Sequence, residues 1–520
     1  MHFERRTVSF ILFFVFWGLT TRLFAQVSPG DNDMPLRVEI PTSSDQGTYR
    51  VIPMGANGLV LFFKSNEKVG DSLVKWYFAF YNHNLKQQWI KSINIQADLD
   101  YRKGSVSDTL CLGFFYSGKE KETDHTFMII RLIPATASFL GNIGLIREGA
   151  ELAGFEFKED KVFIAYNLKN MSSRVLIMNL ARGTAVNRIL TPDTISSIST
   201  FQVDSLGRRF LIALRKMVKK NSWEIFLHSL SYEGDQMPGT LISAINPEIE
   251  IQSLRFCPQD EKNIYLFGTY GIRSSGKKNL PPPSTGFFLS KIQDHQQKDI
   301  HFLNFLELKN AANLLGDRDV ISLKKKSIKK KRDINSYSLD FNIFLHPVIS
   351  KKDQFLLMAE TYNPQYHSEN FTDFDFYGRP FTNTYSVFDG YRFTNAILAC
   401  FNKDGVLQWD NTMEIRNLLT SELVPRVQIR QSGENLVLSY LSEGKIASKV
   451  VNCDKVIEKL DFSPLDLMFS EDKLLEETKS LMVPWYGNYY LCYGYQIIKN
   501  INRSEGAKRL VFYFTKVQFQ

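Results

Sequence analysis

Apolar residues along this chain gather in short runs, each entered through a polar turn, and the runs recur at a nearly constant spacing. They read ANGLVLFF from Ala56, SDTLCLGFF from Ser107, EDKVFIAY from Glu159, GRRFLIAL from Gly207, EKNIYLFG from Glu261, KDQFLLMAE from Lys352, GENLVLSY from Gly433 and GNYYLCYG from Gly487. Counted from Leu59, Thr109, Lys161, Phe210, Asn263, Gln354, Asn435 and Tyr489, the intervals are 50, 52, 49, 53, 91, 81 and 54 residues. The two long intervals contain segments of different composition, one rich in lysine and one rich in aromatics. Setting aside about 40 and about 30 residues for them restores the period, as expected when a repeated unit accepts insertions in its loops.

Apolar runs bounded by turn residues predict strands buried on both faces, which show no alternation. In the first unit TYRVIPM pairs through GANG with LVLFF, and WYFAFYN pairs through HNLK with QQWIKSINI. Four short antiparallel strands in each unit predict an all-β fold, a β-propeller of four-stranded antiparallel blades. The eight units give eight blades, or seven if one unit is irregular. The lone strand LRVEIP (36–41) precedes the first unit, and KRLVFYFTKVQFQ ends the chain. N- and C-terminal strands are therefore expected to complete one blade and close the ring without a free edge.

One hairpin is written twice. FYNHNLKQQWIKSINI (80–95) and CFNKDGVLQWDNTMEI (400–415) each set Asn before a polar turn and Trp seven positions later, Asn82 with Trp89 and Asn402 with Trp409. Both read as the third-to-fourth-strand hairpin of a blade. FNKDGVLQW resembles the repeat of bacterial quinoprotein-like and kelch-like propellers, which implies the same architecture. The adjacent cysteine pair that a quinoprotein would call for is absent, so no cofactor is expected.

The N-terminus, MHFERRTVSFILFFVFWGLTTRLFAQ, carries two arginines, an apolar stretch from Val8 to Leu19 and a cleavage point after Ala25. That stretch is too short to span a bilayer and reads as a secretory signal, 1–25, rather than an anchor. The expected organisation is then a segment 26–48 bearing the ring-closing strand, followed by the propeller, 49–520, in a protein exported to the periplasm or cell surface. Aromatics at 13%, with 41 Phe and 22 Tyr, favour strands. The five cysteines include no CxxC pair, and Cys111, Cys400 and Cys492 sit in apolar runs. They are read as unpaired packing residues in preference to a disulfide framework or a zinc site.

The formal charge of +8 is local. Without residues 1–25 it is +6, and KKKSIKKKR (324–332) carries seven positive charges, so the remainder sums to −1. Lys324, Lys325, Lys326, Lys329, Lys330, Lys331 and Arg332 read as a solvated loop or as a contact for a polyanion such as lipid head groups or acidic polysaccharide. Nucleic acid is not expected for an exported chain with so little charge elsewhere.

In an antiparallel blade the first-to-second and third-to-fourth turns share one rim, while second-to-third turns and inter-blade links share the other. The first-to-second turns are all short. Three insertions, at about 272–285, 304–337 and 362–393, belong to the other rim in consecutive blades, and they are expected side by side on one sector of one face. The last holds eleven aromatics in 32 residues. It reads either as a long loop burying its own rings in a miniature core, or as a platform of Tyr and Phe for a sugar or a partner protein. Its candidate contacts are Tyr366, His367, Phe371, Asp373, Phe374, Asp375, Tyr377, Arg379 and Tyr385.

No G-x-S-x-G, Walker-type loop, H-E-x-x-H or calcium loop occurs, and no histidine pair has metal-ligand spacing. His228 and His346 lie in apolar runs and read as hydrogen-bonded core residues. The preferred reading is a monomeric exported binding protein whose insertion-bearing face contacts an envelope protein or glycan, and which has no transmembrane span. The alternatives are a carbohydrate-active hydrolase or lyase with acids at the central channel, and a structural envelope component without a ligand.

Overall fold

The computed structural model describes residues 36–43, 48–107, 109–117, 124–219, 222–272, 283–310, 342–374, 377–500 and 508–518. All eight apolar runs are strands, and each is the second strand of its own antiparallel sheet. The fold is a β-propeller of eight blades. Blade one comprises Arg50–Pro53, Leu59–Val69, Leu73–Tyr81 and Gln87–Gln96. Blades two to five span 99–147, 151–189, 196–242 and 249–304, and blade seven spans 428–464.

The second strands are apolar on both sides because a sheet packs on each face. Leu110 to Phe115, Val162 to Tyr166 and Phe210 to Leu214 are buried without a break. Each core cluster draws on two neighbouring sheets. Phe163, Ala165 and Val175 of blade three meet Phe210, Ile212 and Leu230 of blade four, and Phe267 and Leu289 of blade five meet Leu357 and Phe401 of blade six. Full burial of one such side chain is worth roughly 1.5–3 kcal/mol, which makes these strands the main hydrophobic elements of the fold.

The sequence period reappears as hydrogen bonds between neighbouring blades. Thr200 donates to Leu254 O (2.8 Å) and Gln202 to Phe256 O (2.7 Å), in each case 54 positions on. Arg209, paired with buried Asp204 at 2.9 Å, donates to Glu261 O at a separation of 52. Where the chain carries insertions the separations widen as the intervals do. Arg255 reaches Leu345 O across 90 positions, and Lys351 reaches Gln431 across 80.

Blade six departs from the pattern in its first strand. Its first strand is split into Asn342–Leu345 and Ile349–Lys351. Pro347 falls in the gap, where its missing N–H could not serve a ladder. His346, beside it, is buried and bonded through Nε2 to Glu360 Oε1 at 2.6 Å, as the apolar run around it led one to expect.

Blade eight is built from both ends of the chain. Asp472–Tyr486, Tyr489–Asn500 and Lys508–Gln518 are completed by Arg37–Pro41, which runs antiparallel to the last of them with Val38 opposite Phe514. This is the expected closure by N- and C-terminal strands.

The duplicated hairpin is one turn made twice. Asn82 Oδ1 accepts from the backbone N–H of Asn84 and Lys86, and Asn402 Oδ1 accepts from those of Asp404 and Val406, all at 2.9–3.0 Å. In both, the residue three after Asn has positive φ, Leu85 at 58° and Gly405 at 77°. Ser231 makes the same pair of bonds to Glu233 and Asp235 in blade four.

By its contacts the chain divides into two compact units. One is Met1–Ile95 with Leu441–Ile446 and Ser463–Gln520, and the other is Gln96–Tyr440 with Ala447–Phe462. Among the described residues no helix is long and apolar enough to cross a membrane.

Candidate functional site

The central strands of blade six, Gln354–Phe374 and Pro380–Asn402, are far longer than those of other blades. Up to Thr361 and Asn395 they lie within the sheet, where Leu357, Ala359, Ile397 and Ala399 are buried. From Tyr366 and Phe388 outward to Phe374 and Pro380 they continue as a ribbon, with no third strand paired to it among the described residues. The segment expected as a loop with its own core is therefore an arm of regular β-structure.

The root of the arm is set by backbone geometry. Gln365 pairs with Gly390 but Tyr366 pairs with Phe388, so Asp389 is bulged out of the ladder. Gly390 has φ 144°, and a Cβ there would stand 2.6 Å from Thr420 O, so only glycine fits this turn. Tyr362, Phe388, Tyr391 and Phe393 pack around it, with Tyr391 edge-on to both Tyr362 and Phe388.

Strand alternation divides the arm into two faces. On one, Tyr366 and Phe388 pair at 5.4 Å beyond rows of Ser and Thr. On the other stand His367, Glu369, Phe371 and Asp373 with Phe381, Tyr385 and Asp389, and there Phe371 and Tyr385 pair at 5.7 Å. Six rings, those of Tyr366, Phe371, Tyr377, Phe381, Tyr385 and Phe388, are 41 to 80% exposed. Among the described residues these rings are exposed, and of the two readings of this segment they fit the platform and not the miniature core.

Two carboxylates hold His367. Its Nδ1 bonds the bulged Asp389, and its Nε2 lies 3.1 Å from Glu369 Oε1. The hydrogen bond to Asp389, and next that to Glu369, raises the imidazole above its ordinary pKa. Tyr377 and Arg379 occupy the tip, with the guanidinium 6.0 Å above the ring. Of the other candidates, Phe374 contributes described backbone only, and Asp375 lies outside the described residues.

Lys324, Lys325, Lys326, Lys329, Lys330, Lys331 and Arg332 also lie outside the described residues, but both flanks of their segment are placed. On the near side, buried Asp410 accepts from the backbone N–H of Lys309 (2.8 Å) and Asn310 (2.9 Å). Asp410 pairs with Ala399, toward the turn end of the blade. On the far side Asn342 pairs with Tyr362 at the root of the arm. The two flanks thus stand toward opposite ends of blade six, whereas the loop rule had assigned the whole insertion to one rim.

Phe381, Phe388 and the bulge at Asp389 were not singled out from the sequence. The signal for them is the alternation of aromatic and small polar residues on both sides of Gly378, in NFTDF and PFTNTYSVF. No comparable signal marks a cleft of about 600 Å³ lined by Thr394, Asn395, Thr412, Glu414, Ile415, Lys449, Val456, Lys459 and Leu460. Among the described residues no group of three or more His, Cys, Asp or Glu is placed to hold a metal ion.

No protein-family model matches the chain, and no curated protein matches it. Among solved structures it is similar to a polysaccharide lyase, Uly1, at 9% identity and a TM-score of 0.39, covering 94% of this chain and 100% of that one. It is also similar to the WD40 domain of SCAP from fission yeast, at 7% identity and a TM-score of 0.40, covering 92% and 97%. A prolyl endopeptidase matches at 10% identity and a TM-score of 0.34, covering 87% of this chain and 54% of that one. Likenesses this distant carry no information about chemistry.

Proposed function

We propose that this chain is an exported interaction protein whose aromatic arm contacts an envelope partner, with the lysine run 324–332 as a second, polyanion-directed contact. The observation that carries the reading is the exposure of five large rings on the two faces of a two-stranded ribbon and of a sixth, Tyr377, at its tip. A ribbon of two strands is marginal by itself in water, and clustered exposed aromatics mark contact surfaces. Tyr and Phe suit that role because they add large contact area with few rotors to freeze.

A protein partner fits the arm better than a glycan does. The exposed pairs are tilted by 59° and 67°, so they present ridges instead of the continuous plane on which a sugar face stacks. His367, Glu369, Asp373 and Asp389 supply polar contacts beside the rings. The carboxylates stand on an exposed ribbon, not at the mouth of a cavity, which gives a hydrolase or lyase no support here.

The test is affinity capture from envelope extracts, alongside a glycan array, with three proteins. These are the wild type, a variant with 363–392 replaced by a short glycine turn, and the quadruple variant Tyr366→Ser, Phe371→Ser, Phe381→Ser, Tyr385→Ser. Loss of one defined captured protein by both variants, with thermal unfolding of the quadruple variant unchanged, is the expected outcome. Capture that survives both changes would overturn the proposal.

A further inference from the structure

The cleft of about 600 Å³ includes none of the arm's exposed rings; it lies between Pro380–Asn402 and Leu407–Thr420 of blade six and Lys445–Asn452 and Lys455–Pro464 of blade seven. Its volume is that of a site for a small ligand. At its floor is Lys449. The ammonium donates to Asn411 Oδ1 (3.0 Å) and to the carbonyl of Thr412, which leaves one N–H without a partner among the described residues.

Lys449 is half-buried, and among the described residues no carboxylate pairs with it. Glu414 lines the same cleft, but its carboxylate is bound to Arg416 at 2.6 and 2.9 Å. Removal from water pushes the Lys449 ammonium below its ordinary range, with no acid opposing the shift. A partly desolvated cation is ordinarily paired, and here no carboxylate among the described residues supplies the counter-charge.

The rest of the lining describes what would bring that charge. Lys459 adds a second cation at the exposed edge. Thr394, Asn395 and Thr412 provide hydroxyl and amide groups, while Ile415, Val456 and Leu460 form an apolar wall. One carboxylate, several hydroxyls and a compact apolar face belong together on an acidic sugar.

We propose that this cleft binds a hydroxylated monocarboxylate of sugar size, a uronic acid or the acidic end of a glycan, with its carboxylate on Lys449. The site shares none of the arm's candidate contact residues, so either reading can fail without the other.

The experiment is calorimetric titration of the full chain with D-glucuronate, with D-glucose and acetate as controls. Glucuronate is expected to bind one site per chain at least tenfold more tightly than either control, and Lys449→Met to weaken it about tenfold or more, the scale of one hydrogen bond to a charged group. Lys459→Ala, at an exposed position, is expected to weaken it severalfold without altering thermal unfolding. If Lys449→Met does not fold, the ε-carbon resonance of Lys449 in the wild type decides, because bound glucuronate must move its titration to higher pH. Glucuronate binding no better than glucose or acetate, or unaffected by Lys449→Met, or leaving that titration in place, would overturn the proposal.

Discussion

Arg509 and Glu39 are 470 positions apart in the chain and 3.0 Å apart in the structure. The same guanidinium also grips the buried carboxylate of Asp472, so one side chain ties the last strand of blade eight to both its first strand and the N-terminal strand. Two places along that N-terminal strand, Arg37 bonds Glu39 (2.8 Å) and Gln496 (2.6 Å) and lies 4.2 Å over the ring of Tyr513. Closure is therefore specified by charge as well as by the strand ladder.

Removing Arg37 should be strongly destabilising, although the strand that carries it is only five residues long. It is buried, and Arg37→Ala takes the donor from Gln496 Oε1 and leaves Glu39 with Arg509 alone. Breaking a buried pair in this way costs about 3 kcal/mol or more, read as a lower urea midpoint. A double-mutant cycle on Glu39 and Arg509 should return a coupling of about 0.5–3 kcal/mol. Additive effects at that pair would show that the ladder alone closes the blade.

Glu360 should behave as a structural carboxylate. It is fully buried and accepts from the backbone N–H of Arg426 (2.9 Å) and Val427 (2.7 Å), as well as bonding His346. It thereby pins the entry of blade seven to the centre of blade six. Glu360→Ala orphans those backbone donors, at about 1–3 kcal/mol each, and Glu360→Gln, which keeps one acceptor, should lose less. The comparison is made by chemical denaturation, and equal losses for the two variants would refute the proposed role of the oxygens.

The blade number was legible because the second strand of every blade is squeezed between two sheets, so its run from Val162 to Tyr166 or from Phe210 to Leu214 has no polar interruption. The paired Asn82 and Asn402 turns were legible because one side-chain oxygen does all the local bonding. The arm was not legible as strand, because both of its faces meet solvent and no core imposes an apolar period on it. Asp, Asn, Gly and Pro scattered among its rings look like loop chemistry until the register is known. Glu360 inside LLMAETY and Lys449 inside IASKVVN were equally silent, since their partners lie 66 and 38 positions away.

Thiol chemistry should count one cysteine. Cys111, Cys257, Cys400 and Cys492 are buried and unpaired, and only Cys453 is exposed. Burial pushes Cys111 up to about 12 and Cys257 and Cys400 up to about 11, and it raises Cys492 as well, so none of them offers thiolate at neutral pH. An aromatic disulfide reagent should titrate one equivalent in the native protein and five after denaturation. Cys453→Ser should abolish the native equivalent, and a remaining fast equivalent would mean that a blade opens readily.

His367 should report the state of the arm through its titration. Its ring sits between Asp389 and Glu369, and the bond to Asp389 is the larger of the two effects raising its pKa. A raised pKa means that the protonated ring is the form the arm favours. That contribution is complete below the ordinary histidine value of about 6.5 and is lost as the pH climbs through the raised one. Ring nitrogen shifts should therefore show a midpoint above about 6.5 that falls in Asp389→Asn and falls less in Glu369→Gln. Protection of the amides in 366–373 and 381–388, after correction for the base-catalysed intrinsic rate, should fall on the alkaline side of that midpoint only. Because the pair is exposed, added salt should compress all of these differences. A midpoint at or below the ordinary value, unmoved by Asp389→Asn, would show that the bulge does not direct Asp389 onto the ring and that the arm is ordered by its ladder and ring contacts alone.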